Sequence, residues 1–151
     1  MKMNTKMSEL LRRTSVPVTF ADQFSLESLK LPNFTVVDGS VLLKDEYERA
    51  GHVKTTDFPD RTGFECFVNH VHLPFSGTSD SLLSCLGYAV ALQRGIARLA
   101  GKRRFQVIVS VAEDGCTVRF HEVRPGENWV SEDLEGYAEE AILLVPASSA
   151  A

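Results

Sequence analysis

The chain is 151 residues long, 44% hydrophobic and 24% charged, with a formal net charge of −4. This is the profile of one soluble globular domain, able to bury about 70% of its unfolded surface without staples. No apolar run approaches the roughly 20 residues that a membrane span needs. The charge is uneven: residues 113–140 hold nine acids against two bases, and the other 123 residues hold 11 acids against 14 bases. Phosphates would be repelled by that C-terminal third, which argues against nucleic-acid binding there.

The opening "MKMNTKMSELLRRTSV" has positive charges but neither an apolar h-region nor a small-residue cleavage site. No signal peptide is expected. Residues 1–15 are expected to form a flexible polar arm, 16–146 a single domain and 147–151 a disordered tail. Cys66, Cys85 and Cys116 are odd in number and lack CxxC spacing. That usage suits a reducing compartment, so a cytoplasmic location is expected.

"VPVTFADQF" is an extended lead-in or a first strand. "FTVVDGSVLLK" predicts two short strands joined at Asp38-Gly39, a dipeptide suited to a tight hairpin. The polar, turn-rich residues 44–63 are expected to form a long loop. "FECFVNHVHLP" (64–74) predicts a strand, with Phe67, Asn69, Val71 and Leu73 on one face and Cys66, Val68, His70 and His72 on the other. A long helix is predicted over about 79–100, capped by Thr78 or Ser79. Leu82, Leu86, Ala89, Val90, Gln93, Ile96, Ala97 and Ala100 recur on it at helical spacing. Gly101 ends it, followed by the basic residues of "GKRRF" that a helix C-terminus favours. Gly87 and Gly95 within it mark close packing on a sheet.

"RFQVIVSVAEDGCTVRFHEVR" predicts a hairpin turning at Asp114-Gly115. A short C-terminal helix is expected after Ser131, with Leu134, Tyr137, Ala138 and Ala141 on its inner face. "AILLVP" is expected to form a last strand. The sum is an α+β fold, mostly antiparallel, with the long helix packed on one face of the sheet.

Two constellations could carry chemistry. Cys66, His70, His72 and His121 are thiolate and imidazole donors of the kind zinc uses, but no closed four-ligand spacing joins them. No helix N-terminus activates a cysteine, and no phosphate loop, GxSxG or HExxH is present, so neither an enzyme nor a cofactor is expected. The stretch "RPGENWVSEDLEGYAEE" (124–140) is richer, holding the sole tryptophan among six acids without an interleaved base. Like charges at helical spacing repel, so the cluster reads as an acidic docking face. Its candidate residues are Glu122, Glu127, Glu132, Asp133, Glu135 and Glu139 for charge, with Trp129 as anchor.

"FECFVNHVHLP", "RFQVIVSV" and "CTVRFHEVRPGENWVSEDLEGYAEEAILLV" together resemble the small immunity proteins of bacterial polymorphic-toxin and contact-dependent growth inhibition systems. The resemblance implies a cytoplasmic, non-enzymatic α+β protein, monomeric rather than dimeric, that neutralises a cognate toxin domain. A nuclease toxin would present cationic groups to the acidic face. A small acidic secretion chaperone, dimeric and client-holding, fits the same size and charge, and a small metal-dependent enzyme is the third reading.

Overall fold

The structure, a computed structural model, describes residues 1–99 and 101–149. Its centre is a five-stranded antiparallel sheet in the order β1-β7-β5-β6-β4: Lys2–Met3, Ala141–Ser148, Arg104–Ala112, Gly115–Glu122 and His70–Leu73. A separate two-stranded ribbon pairs β2 (Phe34–Val37) with β3 (Ser40–Leu43). Asp38 and Gly39 join them at φ 50° and 82°, the left-handed pair that the tight turn demands. In the β5–β6 hairpin Ala112 pairs with Gly115. The loop is therefore Glu113-Asp114, one residue earlier than expected, and Gly115 opens β6.

Strand alternation divides the central sheet into two unlike faces. The front carries Phe105, Val107, Val109, Val111, Cys116, Val118, Phe120, Leu143 and Val145, all in the main core. Against it lies α4 (Ser79–Leu99), which buries Leu82, Leu86, Ala89, Val90, Leu92 and Ile96. Each large aliphatic side chain removed from water there contributes about 1.5–3 kcal/mol. Thr78 caps α4, its Oγ1 accepting from the Ser81 N–H at 3.1 Å. Ala100, expected on the helix's inner face, lies outside the described residues. A Cβ on Gly87 would meet the Phe24 ring at 2.8 Å, and one on Gly95 the Phe34 ring at 2.9 Å. The close partners of these glycines are therefore rings of the 20–34 segment and not the main sheet. Among the described residues no helix is long and apolar enough to cross a membrane.

Five local expectations need correction. Residues 1–15 are no loose arm: they form β1, paired with β7, and α1 (Thr5–Arg13). Met7, Leu10 and Leu11 are buried, an i, i+3, i+4 face that anchors the segment. Residues 44–63 are not a loop but hold α2 (Lys44–Ala50), a 3-10 turn and the start of the next helix. That helix, α3 (Arg61–Val68), replaces the first half of the strand expected over 64–74. Asp60 caps it through the Gly63 N–H at 2.7 Å, and Phe64 and Val68, one turn apart, pack with Leu42 in a second small core. The helix expected after Ser131 is only a 3-10 turn, Leu134–Gly136, capped by Asp133. The expected tail begins too early, since β7 continues through Ala147 and Ser148; residues 150–151 lie outside the described residues.

Candidate functional site

The back of the sheet is covered differently. Residues 123–140 leave the end of β6, cross the back face without an α-helix and enter β7. The crossing is held by polar contacts at almost every step. Glu127 Oε1 accepts from the Thr62 N–H at 3.1 Å, a second cap beside Asp60 on the orphan donors of α3. Lys2 Nζ donates to the Glu132 carbonyl at 2.9 Å. Asp133 accepts from the Glu135 N–H at 3.1 Å. Glu135 Oε1 in turn accepts from the Thr5 N–H at 2.6 Å, at the N-terminus of α1. Glu140 Oε2 accepts from Ser110 Oγ at 2.9 Å. The clustered acids thus have a physical cause absent from the linear sequence. Two of them, Glu127 and Glu135, cap helix N-termini distant in the chain, where the dipole favours negative charge.

Asn4 completes the clasp. Its Nδ2 donates to the Leu134 and Glu140 carbonyls, and its Oδ1 accepts from the Met7 and Ile142 N–H groups. The side chain is 2% exposed and uses both donors and both lone pairs, the full capacity of an amide.

At the start of the crossing lies a charged hub. Glu65, buried on α3, receives Arg124 in a fork: Nη1 to Oε1 at 3.0 Å and Nη2 to Oε2 at 2.5 Å. Its Oε1 also accepts from the Glu122 N–H at 2.9 Å. Glu122 Oε2 bridges Arg103 at 2.6 Å and Arg124 at 3.1 Å, and Arg103 reaches back to the Gly39 carbonyl at 2.5 Å. The hydrogen bond from Arg103 holds the Glu122 carboxyl below its ordinary pKa. Beside it, burial lowers the pKa of His121, whose Nδ1 faces the Glu122 carbonyl at 2.8 Å. The hub joins α3, the ribbon turn, β6 and the crossing.

The predicted docking residues therefore separate into two sets. Glu122, Glu127, Asp133 and Glu135 are occupied within the molecule. The carboxylates of Glu132 and Glu139 make no hydrogen bond or ion pair among the described residues; Glu139 lines a mixed-charge hollow with Glu9, Glu113, Lys6 and Arg13. Trp129 stays 43% exposed and lies over Arg119, whose guanidinium carbon is 4.7 Å from the ring centroid. Leu134 is buried, as expected, but Tyr137 contributes mainly its hydroxyl, which accepts from the Ser131 N–H at 2.8 Å.

The cysteine and histidines do not assemble. Cys66 is buried in α3, with its thiol pushed up to about 12 by burial. His70 bonds to the Phe67 carbonyl and His72 to Thr117 at 3.1 Å. Among the described residues no group of three or more His, Cys, Asp or Glu side chains could hold a metal ion. Sequence reasoning missed Glu65, Asn4 and Arg119. Glu65 was hidden in the supposed strand, and Asn4 in the supposed arm. One signal pointed to Asn4: a capping residue just before the Met7/Leu10/Leu11 spacing.

One family model spans residues 2–150, that of the Uncharacterized protein PM0498 family, and the chain belongs to this family. No curated protein and no solved structure matches the chain.

Proposed function

We propose that this member of the PM0498 family is a binding protein of the immunity type, which neutralises a partner toxin domain, a nuclease above all, through the 123–140 crossing. The observation that carries the reading is the exposed Trp129, seated on Arg119 in a long irregular segment fastened at several points by polar contacts to α3, α1 and β5. An irregular segment held rigid without a partner loses little entropy on docking, and tryptophan is enriched among residues that dominate interface energies. Glu132 and Glu139 are the acids left to steer a basic partner.

The test is co-expression with a toxin domain encoded beside this gene. Trp129→Ala should weaken the complex at least about 30-fold, the size of a hot spot. Glu132→Lys with Glu139→Lys should slow association and flatten its salt dependence. Failure of the wild-type protein to co-purify with such a domain, or a Trp129→Ala complex of unchanged affinity, would remove the reading.

A second reading, a dimeric secretion chaperone, draws on a different observation. Val123, Leu144 and Pro146 line an open apolar hollow with Gln106 and Lys2, and Val123 is 40% exposed. Sedimentation separates the two: a dimer dissociated by Leu144→Glu supports the chaperone, a monomer the immunity protein.

A further inference from the structure

The back face also carries a row of polar side chains that the crossing does not cover. His72 on β4 is paired across the sheet with Thr117 on β6, and Thr117 with Ser110 on β5. The three side chains therefore stand side by side on one face. Thr117 Oγ1 and His72 Nδ1 are 3.1 Å apart, and Ser110 donates to Glu140 Oε2 at 2.9 Å. With Asp114 of the hairpin loop they line a hollow of about 180 Å³. Its floor comes from three adjacent strands, and its two carboxylates from the β5–β6 loop and the last residue of the crossing.

The chemistry of this hollow selects its occupant. Glu140 Oε1 and both Asp114 carboxylate oxygens accept no hydrogen bond among the described residues. Two hydroxyl oxygens and an imidazole lie between them, and no Lys or Arg lines the space. Arg119, the next back-face residue along β6, is close enough to interact with the Glu140 charge, but its guanidinium lies over Trp129. An anion would meet two carboxylates with no cation in the lining. An apolar group would strip water from them without return. A bare metal ion finds no group of three ligands here. A flat cation with several fixed donors matches acceptors spread along a flat sheet face, because a guanidinium presents five N–H groups in one plane.

We propose that this hollow is a binding site for a guanidinium group, supplied either by an arginine side chain of a docking protein or by a free guanidino compound. The site stands on the sheet geometry and does not depend on the immunity reading. The test uses the protein alone, by titration of its backbone amide resonances at fixed ionic strength. Methylguanidinium should give saturable shifts centred on Ser110, Gly115 and Thr117 in the millimolar range, as befits so small a ligand. Methylammonium should bind at least about fivefold more weakly, since a point charge cannot use the spread acceptors. Asp114→Asn with Glu140→Gln should weaken methylguanidinium at least about tenfold, one salt-assisted contact being worth that much. Tighter binding of a blocked Gly-Arg-Gly peptide than of free arginine supports a docking protein as the source; the reverse order supports a small guanidino compound. Non-saturating shifts, or equal shifts from the two cations on the wild-type protein, would overturn the site, as would unchanged affinity in the folded double variant.

Discussion

The two faces of one sheet are sealed by opposite means. In front, α4 lays an apolar stripe on β5, β6 and β7, and the seal rests on area removed from water. Behind, the 123–140 crossing buries one residue, Leu134, and is fastened by hydrogen bonds that Asn4 and Lys2 donate to it and that its Glu127, Glu135 and Glu140 carboxylates accept. Apolar packing is non-directional and tolerates exchange of one hydrophobe for another. Polar fastening is directional, and where it is buried, as at Asn4, a lost bond leaves a group without water or partner. The front should therefore yield gradually to substitution, and the back in local steps.

The largest effect is expected where the back face meets the hub. Glu65→Ala removes the fork and leaves Arg124 to Glu122 in a partly desolvated site, and should cost about 3 kcal/mol in urea unfolding, the lower end for a broken buried pair. Glu65→Ala matched by Arg124→Leu should recover much of that loss, since removing both charges is cheaper than removing one. Next comes Asn4→Ala, at about 1–3 kcal/mol. Its signature is locality: amide exchange should rise across 123–140 and α1 while α4 and β5 stay protected. If exchange rises evenly over the chain, the two seals are one cooperative unit and the contrast between them is wrong.

Gly95→Ala probes the front. The new Cβ meets the Phe34 ring, which stands edge-on to Phe120 with centroids 5.8 Å apart and so has little room to move. Overpacking costs about 1–3 kcal/mol and helix propensity returns about 1, leaving a net loss on the order of 1 kcal/mol. Trp129→Ala should cost under about 1 kcal/mol, the worth of an exposed cation–π pair. A thermal midpoint shifted by much more would make Trp129 a structural residue, not a docking anchor.

Acidity should act on the hub at two successive points. His121 has a lowered pKa in the folded protein because burial opposes its charge. The unfolded chain therefore takes up this proton first, and stability falls as the pH drops below about 6.5, until the folded imidazole also titrates. Glu122, whose folded pKa is lowered by Arg103, contributes stability that is present above its unfolded value, near 4.3. That contribution is lost as the pH falls through the lower folded value. Urea midpoints between pH 7.5 and 5.5 should decline, and His121→Gln should flatten the decline. An unchanged slope in that variant would assign it to other groups.

How far the fold was legible follows the same division. The long helix, both hairpins and β7 carry apolar periodicity, and α+β with a helix on one face follows from them. Helix α3 was misread because Phe64, Cys66 and Val68 alternate like a strand. Its Asp60 cap and the i, i+4 pair Phe64/Val68 were the competing signal, and the small core with Leu42 decided the outcome. The expected C-terminal helix failed because Asn4, from the far end of the chain, takes the Leu134 and Glu140 carbonyls. The acidic face was legible as composition only. Whether a carboxylate is spare or is capping a distant helix is a fact of tertiary structure, and it moved Glu127 and Glu135 out of the spare set.

One topological feature bears on how the protein is made. The strand synthesised last of the seven, β7, does not sit at the margin of the sheet but between β1 and β5. Until it emerges from the ribosome, β5 presents a nine-residue open edge, a ready template for mispairing with other nascent chains. The front layer can assemble early around α4 and the β5–β6 hairpin, but β1 lacks its pairing partner and α1 the strand it packs on. Biogenesis therefore has an obligatory waiting period, and a chaperone that shields the β5 edge would matter most during that interval.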